Sequence, residues 1–160
     1  MRIIKACDLK HSEKVHLLSL RTIDGDTLYS RFRHIITGAF LDDSKNSHQF
    51  FGDIKLSKCI SNSLVFSLDY GYPYIKGCVV TGWENGFKGE NDPKGFCFAE
   101  KDLPESIWFG DKNTLIVIKN EISALDGKYT VYDSARKSGE RSYHLDTLPS
   151  KEGYKIFSLK

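Results

Sequence analysis

The chain has no long apolar run: the longest, Leu115 to Ile118, falls far short of the roughly 18 residues that a membrane-crossing helix requires. The start, Met1-Arg2-Ile3-Ile4-Lys5, passes straight into polar residues without the apolar stretch of about 7–15 residues found in a secretory signal. A soluble protein that stays in the cytoplasm, with no membrane partner, is expected. Cysteine is sparse and oddly placed. Cys7, Cys59, Cys78 and Cys97 match no CxxC or Cys/His spacing, so no metal is expected. Cys78 and Cys97 stand in strand-like apolar contexts, which predicts reduced thiols in a core.

Nor does one sign of charge dominate. The 23 basic and 21 acidic residues are mixed along the chain, which lacks the clustered cations of a nucleic-acid footprint, so nucleic acid is not an expected partner. The densest basic stretch, Ala135 to Arg141, reads as a solvated loop or a place for a phosphate. There is no G-x-G-x-x-G, no G-x-x-x-x-G-K-[ST], no G-x-S-x-G and no H-E-x-x-H. Each of the five histidines reads as a surface or packing residue, His144 beside Tyr143 and Asp146 included. Asp126-Gly127-Lys128 contains the Asp-x-Lys of metal-dependent nucleases, but Asp126-Gly127 is also an ordinary turn.

What is present fits one ordinary domain over residues 1–160, with 40% hydrophobic and 28% charged residues. Arg2 to Cys7 reads as a strand, and Ser12 as the cap of a helix bearing Val15, Leu17, Leu18 and Leu20. Leu28, Phe32, Ile35, Ile36 and Phe40 fit the spacing of a second, amphipathic helix. Leu41 to Phe51 reads as a polar connector, and Ser63 to Leu68 with Tyr74 to Gly82 as a hairpin around Asp69 to Pro73. Trp83 to Lys94 reads as a loop, and Gly95 to Glu100, Lys128 to Asp133 and Gly153 to Leu159 as strands. Thr114 to Leu125 satisfies two patterns: a helix stacking Leu115, Ile118, Ile122 and Leu125, or a β-branched strand from Thr114 to Ile118. The expected class is α+β, an N-terminal strand and two helices followed by a mixed, largely antiparallel sheet.

In this order the first half resembles the GNAT family of acetyl-CoA-dependent N-acyltransferases, through Arg2 to Cys7, Asp8-Leu9, Ser12 to Leu20, Leu28-Tyr29-Ser30-Arg31-Phe32 and the following hairpin. The resemblance makes Thr114 to Leu125 the cofactor helix. Where the family has Q/R-x-x-G-x-G/A, this chain has Trp108 to Thr114, so Gly110, Lys112, Asn113 and Thr114 would meet acetyl-CoA. It also implies Glu100 as the base that deprotonates a small-molecule or protein amine, and Tyr143 as the acid for the leaving thiolate. The alternative is a non-enzymatic binding or inhibitor protein that uses an aromatic loop, such as Tyr70 to Tyr74, on a protein partner.

Overall fold

In the computed structural model the described backbone covers residues 2–21, 27–36, 39–40, 47–50, 53–69, 75–85, 91–121 and 127–160; the described side chains are those of 5–17, 54–69, 75–83, 94–121 and 127–160. These residues form two compact units, Met1–Ala99 and Glu100–Lys160. Among them the elements are strands, apart from one 3-10 turn at Lys10–Ser12. The α+β expectation is thereby corrected: the described fold is three antiparallel sheets.

The first unit begins with β1 (Arg2–Asp8), β2 (Lys14–Arg21) and β3 (Thr27–Ile36), paired in that order, with β4 (Ala39–Phe40) and β5 (Ser47–Phe50) both pairing with β3. The first expected helix is therefore β2. His11 and Ser12 stand at φ of 61° and 62°, so the chain reverses where a helix cap was expected, and Leu9 N donates to Glu13 O at 2.8 Å to close the connection. Val15 and Leu17 are fully buried two residues apart, the period of a strand. The second expected helix is β3 and β4. Leu28 to Phe40 obeys a helical spacing, but β-branched and aromatic residues such as Thr27, Tyr29, Phe32, Ile35 and Ile36 favour a pleated ladder, here with Leu17 opposite Phe32.

The second sheet takes the order of β6 (Asp53–Ile60), β7 (Ser63–Asp69), β8 (Ile75–Asn85) and β9 (Asn91–Glu100). Ser61 and Asn62, both at positive φ, join Ile60 to Ser63 in a two-residue hairpin. Every residue from Ser63 to Leu68 is buried, so β7 is covered on both faces. Leu64, Phe66 and Leu68 pack with Cys7, Leu9, Val15, Leu17, Cys78 and Val80 in one core. β8 and β9 run into the stretch expected to be a loop, whose residues 86–90 lie outside the described ones, as do Tyr70 to Tyr74.

All four cysteines are paired, correcting the expectation of reduced thiols: Cys7 with Cys59, which links β1 to β6, and Cys78 with Cys97, which links β8 to β9. Closing a long loop in this way contributes about 2–4 kcal/mol for each bond. Trp83 on β8 adds a polar tie, its backbone N–H donating to Glu13 Oε2 at 2.9 Å and its indole N–H to Lys14 O at 3.1 Å.

The second unit is one five-stranded antiparallel sheet in the order β13 (Ser142–Leu145), β12 (Tyr129–Asp133), β11 (Thr114–Lys119), β10 (Ser106–Phe109), β14 (Lys155–Ser158). The segment with two readings is strand β11. Leu115, Ile116, Val117 and Ile118 are all buried, which a central strand achieves with consecutive apolar residues. Ile122 and Leu125 lie outside the described residues. Trp108, Leu115, Val117 and Val131 form the core of one face, rimmed by Tyr129, Tyr143, Leu145 and Tyr154. Among the described residues no helix is long and apolar enough to cross a membrane.

Candidate functional site

Strand β14 is the outermost strand of the second sheet and its four residues are exposed. Ser106 stands opposite Ser158, Ile107 opposite Phe157, Trp108 opposite Ile156 and Phe109 opposite Lys155. Neighbours on a strand point to opposite faces. Ile156 and Ser158 therefore share the face of Trp108, while Lys155 and Phe157 lie on the other. Ile156 is 39% exposed and Phe157 37%, although Phe157 sets its ring edge against Phe109 with centroids 5.8 Å apart.

A cleft of about 260 Å3 opens beside this edge, lined by Trp108, Tyr129, Leu148 and Ile156 together with Glu105, Ser106, Lys151 and Ser158. Its floor is rigid. The Trp108 indole N–H donates to Ser106 Oγ at 2.9 Å, and the ring lies 5.7 Å from that of Tyr154. The Tyr154 hydroxyl donates to Asn113 Oδ1 at 2.9 Å, and the Asn113 amide donates to Asp133 Oδ1 at 3.1 Å. This chain of contacts fastens the approach to β14 onto the β10–β11 hairpin.

The residues expected to bind acetyl-CoA build that hairpin. Gly110 N donates to Asn113 O at 2.9 Å, Asn113 serves the network just described, and Thr114 opens β11 with its N–H bonded to Ser134 Oγ at 2.8 Å. Lys112 is exposed in the turn. A Cβ on Gly110 would lie 2.7 Å from the Tyr154 ring, so a glycine here allows close packing against Tyr154. The helix N-terminus implied by the acyltransferase resemblance is absent at Thr114, and its first two helices are strands, which overturns the acyltransferase-like description.

Glu100 and Tyr143 are held apart. Glu100 accepts a hydrogen bond from the Tyr132 hydroxyl at 2.7 Å, while Tyr143 stands opposite Val131 on the Trp108 face. Tyr132 and Val131 are neighbours on β12, so Tyr143 and the Tyr132 side chain that engages Glu100 occupy opposite faces of the sheet. Burial, reinforced by the Asp133 carboxylate, raises the Tyr143 pKa above the usual phenol value, against the pull of Arg136, whose guanidinium lies 4.2 Å from the ring centroid. His144 Nδ1 lies 3.1 Å from the buried Thr130 hydroxyl, which also bonds Asn120. Among the described residues no three His, Cys, Asp or Glu side chains converge as metal ligands.

Gly153 to Leu159 is legible in the sequence as a strand, but the cleft that its Ile156 lines is not. A signal was present: two consecutive large apolar residues in a short strand cannot both be buried unless both faces are covered. Comparison with protein-family models, curated proteins and solved structures finds no match for the chain.

Proposed function

We propose that this chain is a non-enzymatic binding protein that engages a protein partner through the outer edge of its C-terminal sheet. One observation carries the reading: on the outermost strand Ile156 is exposed at a cleft shared with Trp108, Tyr129 and the exposed Leu148, and Phe157 is exposed on the opposite face of the same strand. Exposed apolar residues around a concavity rimmed by polar groups are characteristic of protein-binding surfaces. The paired cysteines support an oxidising compartment in place of the cytoplasm expected from the sequence.

A photo-reactive benzoylphenylalanine at position 157, in the cells that produce the protein, tests the reading. The expected result is a discrete cross-linked adduct that is lost when Ile156→Lys is added and is absent when the probe is moved to exposed position 137. Identical adducts from positions 157 and 137, or none from 157, would overturn it.

A further inference from the structure

The direction of the backbone groups on β14 limits what can bind there. Leu159 N donates to Glu105 O at 2.9 Å, so residue 159 turns its N–H toward β10. In an antiparallel ladder alternate residues face the partner, which turns Phe157 and Lys155 toward β10 as well. The N–H and C=O groups of Ile156 and Ser158 therefore point out along the open edge. These same two residues present their side chains to the cleft. A strand laid antiparallel along the edge would pair its backbone with Ile156 and Ser158, and the side chains of those pairing residues would enter the cleft. Its intervening side chains would lie on the other face, beside Lys155 and Phe157.

Charge narrows the occupant further. Lys151, Lys155 and Lys160 accompany the single acid Glu152 along residues 151–160, and all four are exposed. Within the cleft Trp108, Tyr129, Leu148 and Ile156 supply the apolar walls that suit an apolar side chain, and Glu105 and Lys151 carry opposite charges, so neither sign of charge dominates there. We propose that the β14 edge takes an extended segment of a protein partner as a sixth, antiparallel strand, with apolar residues at every second position entering the cleft and acidic residues between them. Backbone hydrogen bonds supply affinity in this mode and the pocket for alternate side chains supplies specificity. This inference rests on the protein-binding reading above and adds the conformation and chemistry of the partner.

The test uses the intact chain and a fluorescein-labelled nonapeptide of alternating valine and glutamate, followed by fluorescence anisotropy. Saturable binding is expected. N-methylation of the valine amides, which face the edge, should weaken it at least about tenfold, while N-methylation of the glutamate amides should change it less than about threefold. Ser158→Pro deletes an outward N–H without touching the ladder to β10, a position where an edge strand tolerates proline, and should also weaken binding at least about tenfold.

No saturable binding up to about 1 mM, or equal binding of the two methylated peptides, would overturn strand addition. Self-association of the chain that Ser158→Pro abolishes, with no peptide binding, would also overturn it in favour of a second copy on this edge. A cross-link from position 157 without peptide binding sinks the strand alone; loss of both sinks the protein-binding reading as well.

Discussion

Tyr154 donates its hydroxyl proton to Asn113 Oδ1 at 2.9 Å, across 41 residues of sequence, while its ring rests 5.7 Å from that of Trp108. The side chain just before β14 is thus held by the hairpin that begins the sheet, which sets where the exposed edge lies. Tyr154→Phe keeps the ring and removes the bond, and is expected to cost about 0.5–1.5 kcal/mol in urea unfolding. Gly110→Ala, whose new methyl would press on the same ring, is expected to cost about 1–3 kcal/mol. If both variants unfold like the parent, the fastening has no energetic weight.

The disulfides give a second expectation. Peptide mapping without reduction should recover Cys7 joined to Cys59 and Cys78 joined to Cys97, with no alkylated thiol. Replacing Cys7 and Cys59 together by serine should cost about 2–5 kcal/mol. Free thiols in protein from an oxidising environment, or other pairings, would contradict the arrangement.

The contact of Glu13 with Trp83 gives a third. Glu13→Ala removes the carboxylate to which the Trp83 backbone N–H donates and is expected to cost about 1–3 kcal/mol, whereas Glu13→Gln, which keeps an amide oxygen in reach, should cost less. Tryptophan fluorescence during unfolding checks both, and equal losses would show that the oxygen is not the important part.

His16 and Tyr143 each make stability depend on pH. Burial, then the Lys14 ammonium, hold the His16 imidazole below its ordinary value, so the fold favours the neutral ring. That stabilisation is complete above the unfolded value of about 6.5 and is lost as pH falls through the lower folded value. For Tyr143 the folded value is raised, so its contribution is complete below about pH 10 and is lost as pH rises through the folded value. His16→Gln should flatten the acid limb of stability and Tyr143→Phe the alkaline limb. Limbs as steep as in the parent would contradict these assignments.

The sequence conveyed the strands of the second half better than the first. Lys128 to Asp133 is legible because its alternation follows the turn signal of Asp126-Gly127, and the last strand because Tyr154, Ile156 and Phe157 give it bulk after Gly153. The first half misleads because Leu28, Phe32, Ile35, Ile36 and Phe40 satisfy a helical spacing while forming strands β3 and β4. Spacing records where apolar residues recur and ignores their type; the β-branched and aromatic residues of this stretch suit the ladders that β3 makes with neighbouring β2, β4 and β5. Thr114 to Ile118 shows the same competition, and there β-branched density carried the information. The edge site is built by register between β10 and β14, whose opposed residues Trp108 and Ile156 are distant in sequence, and no local pattern encodes that pairing.

Amide hydrogen exchange along β14, read residue by residue by NMR on the intact chain, tests the central claim most directly. The account expects the Ile156 and Ser158 amides, turned outward, to exchange at least about tenfold faster than those of Phe157 and Leu159, which face β10, and to gain protection when the valine–glutamate peptide is added. Slow exchange at Ile156 and Ser158 in the free protein would mean that the edge is already occupied, and would contradict the account.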